Sequence, residues 1–406
     1  MWQFRLRVPL GFLVNELTKY VWHDWPTVSH AVRLQLARET FNWRHPFGAD
    51  GRGDTLRQIS LRPTDLCNLR CHTCGQWGQN GYLHGQSPKA LKQRELPLET
   101  YQKLVDQVVE AGWSPIWYIW GGEPMLYPDL FALLRYIAAR GMPITMVTNG
   151  VNVVNHVAEI MDTCQGLWLS IDGPTAEIHN QQRPGVSPRE DNFSDVMAAL
   201  KTISAEKKRR DNLYPFLGPI TTISKYNVDH LTDTYQLISP YADVHTIYLA
   251  WWIDELAAQE HATDFARRFG FEPHDHWGWI GDWKNFDHGL IFDQFEAMWR
   301  LSKKHNRCPA VMFPSLNSPQ AVRQYYQDHT AIFGYKQCFN IYSTMEVDSN
   351  GDVSLCRDYR DYVIGNITTD SVTEIWNSTA ARKFRHSISQ EGLMPVCRRC
   401  CGLMGY

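Results

Sequence analysis

The feature that most constrains the fold is an alternation of short β-rich runs with amphipathic helical stretches between residues 56 and 251. The six alternations predict a parallel sheet with helices on its outer face. Active residues of such sheets lie at the carboxyl ends of the strands. The predicted strands are Leu56–Arg62, Pro115–Trp120, Ile144–Thr148, Leu167–Ile171, Ile220–Ser224 and Val244–Trp251. The helices are predicted near residues 98–111, 128–140, 153–162, 193–207 and 228–238.

The rest of the chain divides into three further regions. Residues 1–54 are predicted to form a helical N-terminal extension, and residues 256–335 a connecting region that caps the substrate site. Residues 336–406 form a small cysteine-bearing module that begins with a hairpin, because Asn350-Gly351 between β-rich runs is typical of a tight turn. The predicted barrel domain therefore covers residues 55–255.

Composition places the chain among ordinary globular proteins. It has 406 residues, a net charge of −3 and no dominant basic block, so no nucleic-acid partner is expected. No apolar run is long enough to span a bilayer. Residues 1–14 resemble a signal peptide only faintly, since Pro9 and Gly11 interrupt the apolar run. Ten cysteines, clustered in sequence, indicate metal binding in a reducing compartment, so we expect a cytoplasmic protein.

Three cysteines, Cys67, Cys71 and Cys74, are spaced C-x3-C-x2-C. Three thiolates so close together can hold three irons of a [4Fe–4S] cube and leave the fourth iron open to a group that is not protein. The spacing alone shows only a metal site with three cysteines, and zinc or chance remains an alternative.

Further motifs follow the next three predicted strands. Gly121-Gly122-Glu123-Pro124 follows the second strand, and Thr148-Asn149-Gly150 ends the third. Ser170 and Asp172 lie at the end of the fourth, followed by His179 and Arg183. Each of these segments, taken alone, is also an ordinary turn between a strand and a helix.

A second group of cysteines lies in the C-terminal module. Cys338 and Cys356 flank Gly351 at intervals of 13 and five positions, and Cys397 precedes Cys400 by three. Four thiolates in this arrangement fit an iron–sulfur cluster or a four-cysteine zinc site. Cys401 is an alternative to Cys400 as the fourth ligand.

These motifs together resemble the radical S-adenosylmethionine (SAM) superfamily, and the C-terminal cysteines resemble its SPASM/twitch module. The resemblance implies an α/β fold, a partial (β/α)6 TIM-like barrel, with SAM bound to the open iron at Cys67, Cys71 and Cys74. It implies that Gly121 to Pro124 contact the SAM amino group and that Asn149, Ser170 and Asp172 lie near SAM. Arg183 would pair with the SAM carboxylate or form a salt bridge at a helix end. The shorter twitch form implies one auxiliary [4Fe–4S] cluster on Cys338, Cys356, Cys397 and Cys400.

The implied activity is reductive cleavage of SAM to a 5′-deoxyadenosyl radical that abstracts hydrogen from an organic substrate. An external one-electron donor such as flavodoxin or ferredoxin is implied. We expect oxidation, epimerisation or rearrangement of a small molecule, with modification of a ribosomally made peptide as the alternative. A non-catalytic metal-binding scaffold is an alternative of another class.

Two further sets of residues have weaker signals. Cys308 is a candidate hydrogen donor to a substrate radical, although a small buried apolar role is the alternative interpretation. A segment rich in Trp and His is predicted to line a substrate pocket. The candidates there are Asp254, Glu255, His274, His276, Trp277 and Trp283.

Overall fold

One ten-stranded sheet forms the centre of the molecule, in the order β10-β9-β8-β1-β2-β3-β4-β5-β6-β7. The structure, a computed structural model, describes residues 18–22, 24–41, 50–53, 55–187, 191–282, 287–305 and 307–404. All neighbouring strands from β8 to β7 in this order are parallel, and β8-β9 and β9-β10 are antiparallel. The strands are β1 (Gln58–Leu61), β2 (Ile116–Ile119), β3 (Ile144–Thr148), β4 (Gly166–Ser170), β5 (Phe216–Ile223), β6 (His245–Leu249), β7 (Ala310–Phe313), β8 (Thr344–Val347), β9 (Asp352–Ser354) and β10 (Gly365–Asn366).

Helices follow most of the strands. They are α1 (Trp25–Glu39), α2 (Pro88–Arg94), α3 (Leu98–Glu110), α4 (Leu130–Ala138), α5 (Val157–Thr163), α6 (Ala176–Gln182), α7 (Asn192–Arg210), α8 (Leu231–Ile238), α9 (Glu255–Phe269), α10 (His288–His305), α11 (Pro319–Gln327), α12 (Val372–Trp376) and α13 (Thr379–Glu391). A short 3-10 turn, Asp275–Trp279, lies between α9 and α10.

The core lies between the sheet and these helices. In α3, Tyr101, Leu104, Val105 and Val108 are buried, so one helical face meets the sheet. Successive side chains of β1 point to opposite faces of the sheet, and Ile59 points towards the helices and is fully buried in the same core. Burial of each such large apolar side chain contributes about 1.5–3 kcal/mol to folding.

The predicted barrel is confirmed, with two differences at its edges. The sequence predicted six parallel strands, but β7 extends the sheet by pairing with β6, Ala310 opposite His245. Strand β7 has only four residues and follows Pro309, so it offers no alternating pattern to recognise. The predicted C-terminal hairpin is also part of this sheet, because β8 pairs in parallel with β1, Ser60 opposite Glu346.

In the N-terminal extension the structure describes helix at residues 18–22 and in α1, whereas residues 50–53 are irregular. The signal-like residues 1–14 and the pocket candidate Trp283 lie outside the described residues. None of the described helices has the length and apolarity that crossing a bilayer requires.

Candidate active site and auxiliary metal centre

The loop after β1 carries Cys67, Cys71 and Cys74 at the carboxyl edge of the sheet. The backbone N–H of Leu69 donates to Cys67 Sγ over 3.4 Å, and that of Trp77 donates to Cys74 Sγ over 3.4 Å. Burial, with the neighbouring thiol of Cys71, raises the pKa of Cys67. Burial also raises the pKa of Cys71 to about 11. A bound metal cation stabilises the thiolate form that burial and neighbouring thiols disfavour. This set of donors therefore fits an iron–sulfur cluster.

Gly121 and Gly122 lie against the back of the cysteine loop. The backbone N–H of Glu123 donates to the Leu66 carbonyl over 2.7 Å, and that of Gly122 donates to the Thr64 carbonyl over 3.0 Å. A Cβ atom on Gly122 would lie 2.1 Å from the Leu66 oxygen. Only glycine allows this approach, which fixes the strand end next to the first cysteine.

The Glu123 carboxylate connects the ends of β2 and β3. It accepts hydrogen bonds from Thr148 Oγ1 at 2.6 Å, from the Asn149 N–H at 2.8 Å and from the Met125 N–H at 3.1 Å. Burial raises its pKa to about 7 despite these donors. Pro124 begins the 3-10 turn that follows. Glu123 therefore holds the carboxyl ends of β2 and β3 together beside the cysteine loop.

Asn149, which was predicted to lie near SAM, contacts the cysteine loop. Its Nδ2 donates to Asn68 Oδ1 over 2.8 Å, and Asn68 is adjacent to Cys67. Its backbone carbonyl accepts from Asn192 Nδ2 over 2.9 Å. Sequence reasoning missed Asn68 and Asn192, for which residue type was the only available signal.

Asp172 and Arg183 form an ion pair next to Cys71. Arg183 Nε donates to Asp172 Oδ2 over 2.6 Å, and its Nη1 lies 3.6 Å from Cys71 Sγ. The Thr222 N–H donates to Asp172 Oδ1 over 2.7 Å. Burial opposes the charge of Arg183, but the Asp172 carboxylate raises the pKa of the guanidinium overall. Arg183 was predicted either to bind the SAM carboxylate or to form a salt bridge, and the structure contains a salt bridge with Asp172. Ser170, which was predicted to lie near SAM, is buried at the end of β4.

His179 connects this ion pair to Asn192. The Asp172 N–H donates to His179 Nδ1 over 3.1 Å, so Nε2 carries the proton and donates to Asn192 Oδ1 over 2.9 Å. Burial lowers the pKa of His179 to about 4, which keeps the ring neutral. The ends of β3 and β4 are thereby held together.

The four cysteines predicted as ligands in the C-terminal module affect one another's pKa. Burial, then the nearby Cys400 thiol, raises the pKa of Cys338 to about 11. Burial and the Cys338 and Cys400 thiols raise that of Cys397. Burial raises the pKa of Cys356, and the Asp358 carboxylate and the Cys400 and Cys397 thiols raise it further. The Cys400 thiol contributes to the raised pKa of each of the other three, and a set of four thiols that disfavour one another's charge fits a second iron–sulfur cluster.

Asp358 has a carboxylate beside Cys400 that sequence reasoning missed as a possible metal ligand. Its carboxylate, Cys400 Sγ and Cys401 Sγ all lie within 4.8 Å of one another. Its Oδ2 is 3.8 Å from Cys400 Sγ. The only available signal was its position two residues after Cys356. The structure therefore leaves both Cys400 and Cys401 close to the centre.

A buried network of charges joins the two cysteine regions. Arg360, four residues after Cys356, pairs with Asp348 of the hairpin turn at 3.0 Å. Asp348 also pairs with Arg62 at 3.6 Å, and Arg62 pairs with Asp65, two residues before Cys67, at 3.7 Å. The two loops are thus held in one arrangement.

Several predicted residues lie elsewhere. Cys308 is 1% exposed and precedes β7, so it lies at the amino ends of the strands. The cysteine loop lies at their carboxyl ends, so the structure does not bring Cys308 to this site. Asp254 caps α9 by accepting the Ala257 N–H over 2.8 Å. His276 is fully buried beside His261, with ring centroids 4.9 Å apart, whereas Trp277 is 38% exposed.

The face of the sheet turned away from the helices carries partly exposed aromatic side chains. Arg357 lies over the Tyr118 ring at 4.5 Å and pairs with Glu346 at 3.4 Å. This face combines an aromatic wall with the charge pair of Arg357 and Glu346. Its aromatic residues are Tyr118, Trp120, Trp168, Tyr248 and Phe313.

Geometry and donor sets define a protein with two iron–sulfur sites, one of them at the mouth of a partial barrel. Comparison with protein families agrees. The radical SAM superfamily matches residues 61–238, and the SPASM iron–sulfur cluster-binding domain matches residues 338–401. The chain therefore contains a radical SAM domain followed by a C-terminal SPASM domain, which together imply a [4Fe–4S] cluster, SAM and one or more auxiliary iron–sulfur clusters.

Two relatives and one solved structure illustrate what this chain is similar to. An AdoMet-dependent heme synthase of Methanosarcina barkeri is 26% identical over 351 residues, which are 84% of this chain and 88% of the relative. The mycofactocin maturase MftC of Mycobacterium ulcerans is 29% identical over 147 residues, 35% of each chain. The structure of Streptococcus suis SuiB bound to S-adenosylmethionine has a TM-score of 0.58 at 13% identity, covering 87% of this chain and 72% of that one. That structural likeness concerns the fold alone.

Proposed function

We propose that this chain is an enzyme that abstracts hydrogen from a small carboxylated organic molecule. The observation that carries the proposal is the convergence of Cys67, Cys71 and Cys74 on one loop braced by Gly122 and Arg183. Bound there, the cluster and SAM supply a 5′-deoxyadenosyl radical. The residues of the chain hold the cysteine loop, orient the ligand and keep the site partly buried.

The aromatic wall supports a small-molecule substrate with flat, apolar surface. Aromatic side chains contribute large contact areas and prefer to stack on other rings. Arg357, whose side chain is 17% exposed, offers a guanidinium that binds a substrate carboxylate with charge-assisted hydrogen bonds. The heme synthase of M. barkeri matches 84% of this chain. A tetrapyrrole precursor of haem is therefore the first substrate to test.

Peptide modification is the second candidate. It is favoured by the matches to the mycofactocin maturase and to AlbA of Bacillus subtilis, named for subtilosin biosynthesis. These matches span 35% of this chain each, less than half the share matched by the heme synthase of M. barkeri.

The test is anaerobic reconstitution followed by an assay for 5′-deoxyadenosine. Tetrapyrrole carboxylates and short peptides are supplied in parallel, with Cys71→Ala as the control. With two [4Fe–4S] clusters we expect about eight irons per chain. Formation of no more 5′-deoxyadenosine than in C71A would contradict the proposal, whereas zinc in place of iron would favour a metal scaffold.

A further inference from the structure

Two tryptophans occupy the space between the two cysteine regions. Trp251 follows β6, and Trp279 ends the 3-10 turn; both lie outside the segments that match the two families. Their ring centroids are 5.1 Å apart with the planes at 70°, an edge-to-face pair. Trp251 is 9% exposed. Trp251 is therefore packed in the interior, and Trp279 is half-buried against it.

Trp279 lies directly against the loop of the SAM-cleaving cluster. Gly75 follows Cys74, and a Cβ atom on Gly75 would lie 2.3 Å from Trp279 Cε2. Gly278 meets the same loop, because its Cβ would lie 2.3 Å from the Gly75 oxygen. The indole ring thus packs against the residue that directly follows the third cysteine.

The other side of the pair is bonded to the auxiliary centre. Trp279 Nε1 donates to the Asp358 carbonyl over 3.1 Å. Trp251 Nε1 donates to the Arg398 carbonyl, next to Cys397, over 3.3 Å. Each indole therefore holds a different cysteine loop of the auxiliary centre.

The position of Trp279 is itself fixed. Its carbonyl accepts the Ile253 N–H over 3.0 Å, and the Gly281 N–H donates to the Ile253 carbonyl over 3.2 Å. This short parallel bridge ties the turn to the chain that follows β6. A ring held on both sides sets the separation of the loops it touches.

We propose that Trp279, supported by Trp251, is the positioning residue that couples the two cluster sites and forms the path for electron exchange between them. The inference rests on the proposed function only in requiring that both centres hold clusters. One electron leaves one cluster and reduces the other, so the indole undergoes no net oxidation. The chemical donor in the test is dithionite.

The experiment uses the fully reconstituted protein without SAM or substrate. A limiting amount of dithionite is mixed rapidly, and freeze-quench EPR follows the redistribution of the electron between the two clusters. Power saturation of the two signals measures their magnetic coupling, and iron content confirms loading. Trp279→Leu should slow redistribution severalfold and weaken the coupling. The matched control is Trp277→Leu, on the same turn but partly exposed, and it should behave as the wild type.

Wild-type redistribution in W279L, or equal losses in W277L and W279L, would overturn the proposal. If W279L fails to load both clusters, Trp279→Phe decides, because it keeps a ring against Gly75 but lacks the indole N–H. Slower redistribution in W279F supports the proposal, and an unchanged rate overturns it. A wild type holding one cluster refutes this inference while its formation of 5′-deoxyadenosine still tests the proposed function.

Discussion

The Nη1 atom of Arg183 lies 3.6 Å from the sulfur of Cys71, although the two residues are 112 positions apart. The same guanidinium is bonded to Asp172, whose side chain is fully buried. A positive charge is thereby fixed beside one of the three thiols of the cysteine loop. Asp172 is what keeps it there.

Arg183→Met should leave the Asp172 carboxylate buried and unpaired. Breaking a buried ion pair in this way costs about 3–5 kcal/mol of unfolding free energy. Urea denaturation under anaerobic conditions measures the loss. The double variant D172N/R183M should recover part of it, because the amide that replaces the Asp172 carboxylate has no charge and still accepts the Thr222 N–H. A single variant as stable as the wild type would contradict the role given to this pair.

Glu123 should make stability depend on pH. Burial raises its pKa from 4.5 to about 7, so the folded protein binds a proton that the unfolded chain has released between these values. The contribution of Glu123 to the free energy of unfolding is therefore greatest below pH 4.5. It falls as the pH rises through 7, by about 3 kcal/mol in all.

Glu123→Gln should remove that slope. Buried His179 acts in the opposite sense, because its pKa is lowered to about 4 and stability is lost as the pH falls from 6.5. The measurement is therefore the difference in unfolding free energy between E123Q and wild type, taken at several values of pH. A difference that does not change with pH would contradict the assignment.

Gly122→Ala should abolish formation of 5′-deoxyadenosine. The added Cβ would meet the Leu66 oxygen at 2.1 Å, so either the strand end or the cysteine loop must move. Gly141→Ala is the control, because Gly141 has a φ of +70° but no atom within 4 Å of its added Cβ. It should cost about 1–2 kcal/mol of stability and leave activity intact. Equal activity in the two variants would count against the importance of this contact.

Cys400→Ser and Cys401→Ser should differ in iron content. The Cys400 thiol raises the pKa of the Cys338, Cys356 and Cys397 thiols, so we expect it to share their cluster, and C400S should fall from about eight irons to about four. C401S should retain both clusters. Iron analysis with Mössbauer spectroscopy distinguishes them. The reverse result would assign Cys401, with Asp358, as the ligand.

Local features of the fold were predictable because they depend on neighbours in sequence. The strand β3 has the predicted bounds, and the turn at Asn350-Gly351 forms with Gly351 at a φ of +87°. The alternation of strands and helices was likewise predictable, because it follows from the periodicity of apolar residues. Strand β7 was missed because four apolar residues after a proline have no period of their own.

The sequence by itself determined which donors the chain offers and the order in which a parallel barrel presents them. Only the tertiary structure decided which of them meet. Arg183 beside Cys71, Asp358 beside Cys400 and Trp279 against Gly75 all join residues far apart in the chain. Such contacts depend on how helices and loops pack over the sheet, and packing leaves no periodic trace in the segments it brings together.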